Sequence, residues 1–212
     1  RLRNGLVTLQ FIISMVLITC TLIVQHQLDF MRSKKLGFDK ENVLIVKNAH
    51  RLGNQQAFIN WIKQMSGVQN AGAARFSPID DYDGMPLLTE EDKDNKKLVN
   101  FSLIDHDFVP TLKYEVVAGR NFSKDNAADS SRVLLNERAA DFLFGGDAVG
   151  KRVSTIDQSN NEFTIIGIIK DFNFESLKNE VRPMVFFLRT NQRNLHVRLK
   201  PGDYSETISL ME

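Results

Sequence analysis

Cysteine is nearly absent: Cys20 is alone among 212 residues, which excludes an intrachain disulfide and a thiolate metal cage. Five prolines and 12 glycines exclude a collagenous or low-complexity chain. Net charge is also scarce, with 27 basic residues against 26 acidic ones, a balance of +1. Such a chain has no general attraction for a phosphate backbone, and no Lys/Arg stripe alternates with aromatics, so nucleic acid is not an expected partner. What is present, 42% hydrophobic residues with 15 Phe and 25% charged residues, is the composition of a folded chain of one compact domain or two small ones. The first residue is Arg1 and the last, Glu212, interrupts a helical pattern, so a piece of a longer protein is expected.

The average hides one long apolar run. From Asn4 to Leu28 there is no Asp, Glu, Lys or Arg, and Leu6 to Val24 is mostly Leu, Val, Ile, Phe and Met. As a helix this stretch would be roughly 37 Å long against a hydrocarbon core of about 30 Å, enough to span a membrane with some tilt. Arg1 and Arg3 place the N-terminal flank in the cytoplasm by the positive-inside rule, while Arg32, Lys34 and Lys35 pull the other way. A signal peptide would have a shorter apolar region ending at small residues. Leu17-Ile18-Thr19-Cys20 resembles a lipobox, but Leu22-Ile23-Val24 continues the run where a polar tether should begin. Gln10, Ser14, Thr21 and Gln25 fall within about 60° of one another around the helix. Polar groups on one face of a membrane helix pack against another helix or bond back to their own carbonyls, because lipid offers them no partner.

Past the span, Leu28, Met31 and Leu36 among charged residues predict that the helix continues as a short stalk ending near Gly37. Residues 42–47 read as a buried strand, Ala57 to Met65 as a helix stopped by Gly67, and Val68 to Ala74 as a second strand. Pro78 to Asn95, rich in Asp, Glu and Gly, reads as an exposed loop. Strands are expected at 98–104, 114–118, 133–135, 152–156, 163–169, 184–188 and 195–199. Asn136 is an N-cap for a short helix over Glu137 to Leu143 that Gly145-Gly146 stops, and Asp203 looks like the cap of a helix running to the end. The expected class is α+β: a membrane helix (1–28), a stalk (29–40), an α+β part built from both ends of the soluble segment (41–76 and 180–212), and an inserted β-rich part (77–179). Without residues 1–28 the chain has 25 basic and 26 acidic residues, which suits a soluble domain.

Few constellations point to chemistry. Gly145, Gly150 and Lys151 have the spacing of a phosphate-binding loop, yet Arg152 stands where a Mg²⁺-binding Ser or Thr belongs, and the helix precedes the glycines instead of following them. His26, His50, His106 and His196 have no metal-ligand spacing. Asp80-Asp81-Tyr82-Asp83-Gly84 lacks the alternation and distal Glu of a calcium loop and reads as a solvated acidic turn. His106 lies between Asp105 and Asp107 without a nucleophile elbow. No metal or cofactor is expected, and an enzyme is the least favoured class.

Several segments nevertheless form a series. Gln27-Leu28-Asp29-Phe30-Met31 and Leu36-Gly37-Phe38-Asp39-Lys40-Glu41-Asn42-Val43-Leu44 follow the apolar run. Then come Gly119-Arg120-Asn121-Phe122, Leu135-Asn136-Glu137 and Val149-Gly150-Lys151-Arg152. Ile165-Ile166-Gly167-Ile168-Ile169-Lys170-Asp171-Phe172-Asn173-Phe174-Glu175-Ser176-Leu177 and Arg182-Pro183 complete it. In this order they resemble FtsX-like, MacB-type ABC transporter permeases. The resemblance implies a periplasmic domain with a porter-like α+β part and an inserted β-rich part, in the bacterial inner membrane. It also implies a separate cytoplasmic ATP-binding subunit, a second permease copy or half, and a periplasmic adaptor or substrate as partners. The function it implies is non-catalytic: coupling ATP hydrolysis to efflux or to mechanotransmission in the periplasm. Gly119 and Gly150 would then serve turns, Asn136 a cap, and Phe172, Phe174 and Leu177 the packing of a loop that leaves a strand, with Phe122, Gly167, Ser176 and Pro183 as further structural motif residues. Arg120 and Asp171 are candidates for an ion pair between two loops. A membrane-anchored extracytoplasmic sensor domain of a signalling receptor is the alternative, separated by whether further spans or a signalling helix follow.

Overall fold

The computed structural model describes residues 2–33, 37–78, 80, 82–156, 161–173, 180–202 and 204. The chain divides into two compact units, Arg1–Lys35 and Leu36–Glu212. The first is a single helix, α1 (Leu2–Ser33), which takes in the whole apolar run. Its stretch Arg3–Asp29 is long and apolar enough to cross a membrane. The hydroxyls of Thr8, Thr19 and Thr21 donate to the carbonyls of Asn4, Met15 and Leu17, so these polar groups are satisfied within the helix. The helix passes the expected end of the span and takes in the first part of the expected stalk. Gly37, where the stalk was expected to stop, has φ +86°, a left-handed conformation that closes helices.

The second unit contains β1 (Val43–Val46), α2 (Gln55–Lys63), β2 (Val68–Ala74), β3 (Gly84–Thr89), β4 (Asp92–Ile104), α3 (Phe108–Thr111) and β5 (Val116–Gly119). These are followed by β6 (Arg132–Asn136), α4 (Glu137–Phe144), β7 (Arg152–Thr155), β8 (Glu162–Ile169), β9 (Met184–Leu188) and β10 (Asn194–Leu199). Short 3₁₀ turns stand at Ala49–Arg51 and Ala127–Ser131. The mixed helix and strand composition is the α+β class expected.

Among the described residues ten strands share one hydrogen-bonded sheet. At one end, β10 lies antiparallel between β1 and β2, with Val43 opposite Arg198 and Val197 opposite Ala71. The ladder then narrows to one pair, Ala74 opposite Ile104, where β2 meets β4. Beyond it β4, β3, β7, β8, β6 and β9 pair in succession, and β9 returns parallel to β4, so these six strands close into a ring. β5 adds to β8.

Packing follows the same pattern. Ile59 and Ile62 of α2 pack with Val68, Ala71, Ala73, Leu195, Val197 and Leu199, residues from both ends of the soluble segment. Leu87, Val133, Leu135, Val153, Ile165, Val185 and Leu143 fill a second cluster with the ring strands and α4. A third, aromatic cluster contains Phe108, Tyr114, Phe122, Phe172 and Phe186, with Phe38 packed against it.

Two elements depart from expectation. The segment 78–95, read as an exposed loop, contains β3 and the start of β4. Gly84 and Pro86 mask the alternation of β3, whose Leu87 is fully buried, and the polar residues 92–97 of β4 carry no apolar signal because the hairpin holds them by backbone pairing. The four-residue α3 is too short for a periodic pattern, and its Pro110 sits in a first turn, where no helical N–H is needed. The helix expected after Asp203 lies outside the described residues.

Candidate functional site

Several of the sequence motifs meet near residues 37–41, at the start of the second unit. At Gly37 a side chain would stand 2.7 Å from the Cα and 2.8 Å from the Cβ of Phe172 and would also strike the carbonyl oxygen of Asp171, so the backbone of 37 lies directly on that loop. Phe38 places its ring 5.7 Å from that of Tyr114. Tyr114 in turn meets Phe172 edge-on at 4.8 Å, and Phe172 stacks on Phe186 at 5.8 Å.

Asp39 and Arg198 complete this anchorage. The Asp39 N–H donates to the Leu112 carbonyl at 2.9 Å, and its Oδ1 accepts the Glu41 N–H at 2.9 Å. Its Oδ2 lies 2.8 Å from Lys113 Nζ and 3.1 Å from Arg198 Nη1. Burial raises the Asp39 carboxyl, but the Lys113 hydrogen bond, the Glu41 N–H and the charges of Arg198 and Lys113 outweigh it and hold the group below its ordinary value. Arg198 is only 3% exposed although it carries a full charge. Its Nε donates to the Thr111 carbonyl at 2.5 Å, Nη1 to that of Glu41 at 3.0 Å and Nη2 to that of Asp39 at 2.6 Å. One guanidinium on β10 thus binds the C-terminal end of α3 and residues 39–41 together.

A second junction lies on the other side of Phe172. Asn136, fully buried, accepts the Ala139 N–H at 2.9 Å as the α4 cap and the Met184 N–H at 2.8 Å, and donates to the Arg182 carbonyl at 3.0 Å. Glu137 accepts the Asp171 N–H at 2.8 Å, while the Asp171 carboxylate accepts the Arg138 N–H at 2.8 Å, a reciprocal pair that fastens the β8 exit to the helix start. Burial raises the Asp171 carboxyl, and the Arg138 N–H only partly offsets it. The carbonyl of Pro183 accepts the Asn100 N–H at 2.9 Å. Asn136, Asp171, Phe172 and Pro183, scattered in sequence, therefore meet at one place.

The expected ion pair between Arg120 and Asp171 does not form. Arg120 instead grips fully buried Asp129 with two nitrogens, at 2.8 and 2.7 Å, and Asp129 also accepts the Ser123 N–H at 2.8 Å. The Arg120 hydrogen bond holds the Asp129 carboxyl below its ordinary value despite burial. Asp171 is already committed to the α4 backbone, and Asp129 lies nine residues from Arg120 in the same loop. Gly119, at φ +70°, and Gly167 allow β5 and β8 to touch backbone to backbone: a Cβ on Gly119 would stand 2.8 Å from Gly167 Cα. Phe122 is buried in the aromatic cluster. Gly150, at φ +89°, donates to the Ile165 carbonyl at 2.8 Å and turns the chain into β7. Helix α4 precedes Gly145 and strand β7 follows Lys151, the reverse of a phosphate-binding loop. Phe174, Ser176 and Leu177 lie outside the described residues. Gln10, Ser14, Thr21 and Gln25 are exposed on α1.

Other polar groups are also placed. Asp80 accepts the Ser77 N–H at 2.7 Å, and Asp83 pairs with Arg75 at 2.8 Å. Asp107 bridges Lys63 at 2.7 Å and Lys124 at 2.6 Å. Among the described residues no group of three His, Cys, Asp or Glu side chains could hold a metal. His196 is fully buried, with Nε2 3.1 Å from Ser77 Oγ, and desolvation pushes it down to about 4. Desolvation likewise pushes Asp105 up to about 6. Sequence reasoning missed Arg198, Asp39 and Asp129. A signal for Arg198 existed: in Asn194–Leu199 polar and apolar residues alternate, so His196 and Arg198 share one face of a strand.

The family model for the MacB-like periplasmic core domain matches residues 11–209. No curated protein sequence matches the chain. Among solved structures, the periplasmic region of MacB from Actinobacillus actinomycetemcomitans is similar in fold, with a TM-score of 0.54 at 14% identity over 82% of each chain. A domain of a protein described as a permease from Porphyromonas gingivalis gives 0.57 at 21% identity over 81% of each chain. The extracellular domain of the noncanonic ABC-type transporter YknZ from Gram-positive bacteria gives 0.51 at 16% identity, covering 72% of this chain and 76% of that one.

Proposed function

The chain belongs to the MacB-like periplasmic core domain family of ABC-type transporter permeases, and from that premise we propose that it couples a cytoplasmic ATPase to work done outside the inner membrane. In this reading α1 spans the membrane and the unit from residue 36 onward stands in the periplasm. The chain works with a separate ATP-binding subunit and with a second permease copy or half. A periplasmic adaptor or substrate is what the domain acts on, by efflux or by transmitted movement, with no chemical step of its own. The family membership takes the place of the receptor-sensor alternative.

One observation supports coupling in particular: residues 37–41, which follow the apolar helix in sequence, are bonded to β10 and α3 through Arg198 and Asp39 and seated at Gly37 directly against the β8 exit. A domain that must be moved from its attachment point benefits from such anchorage. The porter-like part would comprise 41–76 and 180–212, with α2 over β1, β10 and β2. The inserted part would be the strand ring within 77–179, to which β9 contributes from outside that range, and the one-pair β2–β4 ladder would be the strand link between them, beside the contacts of α3 with β2 and β10.

Isolation of the full-length parent protein from membranes, with identification of stoichiometric partners and an ATPase assay, tests this reading. An ATP-binding subunit in constant ratio with measurable turnover is expected. Recovery of the parent alone, or with a kinase and no ATPase, overturns it.

A further inference from the structure

Arg198 is an uneconomical residue for stability alone. A buried guanidinium gives up its hydration, and an apolar side chain of similar size commonly serves a core as well or better. What the charge supplies is direction. Three of its nitrogens point at three carbonyls from two separate segments, those of Thr111 on one side and of Asp39 and Glu41 on the other, and the Asp39 carboxylate closes the arrangement at 3.1 Å. Lys113 on the α3 side joins the same carboxylate at 2.8 Å. The backbone repeats the link, since Asp39 N–H donates to Leu112 and Leu199 N–H donates to Asn42 at 2.8 Å.

We propose that Arg198 is the positioning residue of coupling: it locks residues 39–41 to β10 and α3, so that displacement arriving along the chain from α1 moves the soluble unit instead of bending its first residues. The inference rests on the coupling function proposed above and adds to it the residue through which movement passes. Arg198 touches no substrate. It acts by keeping the chain that follows Gly37 and the strand β10 in fixed register, beginning at the pair Val43 and Arg198. An Arg198→Met variant can fill much of the volume but directs no carbonyl, and Arg198→Lys retains charge with one donor group in place of a planar fork.

The test uses the full-length parent with its ATP-binding partner in lipid nanodiscs, in a Cys20→Ser background. A spin label at Asp94→Cys, an exposed residue of β4, reports the distance between the two permease copies with and without trapped ATP. The parent is expected to change this distance on trapping ATP. Arg198→Met should reduce the change at least threefold while hydrogen exchange in β2 and β10 keeps its protection, and Arg198→Lys should restore part of it. A merely structural role would not separate these two readouts. If Arg198→Met fails to assemble, Asp39→Asn carries the test: its side chain is partly exposed, it keeps its size and its carbonyl, and it should give a reduced change. A full-sized change in Arg198→Met, or in Asp39→Asn where that variant stands in, overturns the proposal. Absence of any ATP-dependent change in the parent overturns the coupling function itself, a result visibly different from failure of the Arg198 assignment.

Discussion

Arg198 and His196 occupy alternate positions of β10, both buried, while Leu195, Val197 and Leu199 turn to the α2 cluster. The two polar side chains need different compensation. Arg198 reaches carbonyls, whereas His196 stays neutral against Ser77 and Phe108, 5.2 Å away ring to ring. Burial pushes His196 from an ordinary 6.5 to about 4, with Asp80 and a hydrogen bond to the Gly72 backbone pulling upward. Between these values the unfolded chain holds the proton and the folded one does not, so acidification favours unfolding. Asp105 does the reverse. Burial, reinforced by Asp107, lifts it from 3.8 to about 6 against the pull of backbone N–H groups and Lys63, so across that window the folded chain holds the extra proton and acid favours folding. The two act in opposite directions across that range. Denaturant midpoints of the 36–212 unit should therefore split with pH on substitution. His196→Gln should gain stability relative to the parent unit as pH falls from 7 to 4.5, and Asp105→Asn should lose it. Parallel pH profiles for all three would refute both assignments. Arg198 was hard to read in sequence because a charged residue in a strand is ordinarily solvated. The alternation in β10 marks its face, but its carbonyl partners are far off in sequence, at residues 39, 41 and 111.

Elements were legible in proportion to how local their signals are. β9 reads as a strand because Met184–Leu188 is an unbroken apolar run, buried throughout. α4 is marked by its cap Asn136 and by Gly145, whose φ of +74° ends it. β3 and the first half of β4 were illegible, since hairpin pairing holds charged residues that no periodicity distinguishes from a loop. At the junction near Phe172 the motif residues were visible, but their partners were not: Arg120 pairs within its own loop, and Asp171 serves the start of α4. For α1 the legible feature is the polar face. Thr21 already donates to Leu17, so the helix satisfies that hydroxyl unaided, and a packing role rests on Gln10, Ser14 and Gln25. Ser14→Leu and Gln10→Leu should lower recovery of the parent complex several-fold, while Ile12→Phe and Ile23→Phe on the opposite face should leave it unchanged. Equal recovery across all four, measured by partner stoichiometry after purification, would remove the packing seam.

For the whole molecule, one unit is an apolar helix long enough to cross a membrane and the other holds the closed strand ring and the α2 layer, in a chain of the MacB-like periplasmic core domain family. The closure itself was beyond sequence reading, because it depends on the parallel return of β9 to β4 across some eighty residues. Coupling between two places is reciprocal in free energy, so a domain moved by ATP binding must, when held still, oppose that binding. The most direct measurement is therefore made from outside. The full-length complex, freed of Cys20 and of any other reactive cysteine and carrying Asp94→Cys, is treated in sealed vesicles with a membrane-impermeant bifunctional maleimide, and ATP binding on the other side is followed. The apparent affinity for ATP is expected to fall several-fold once the two copies are joined, and a monofunctional maleimide should have no effect. Complete cross-linking with unchanged affinity would contradict the account.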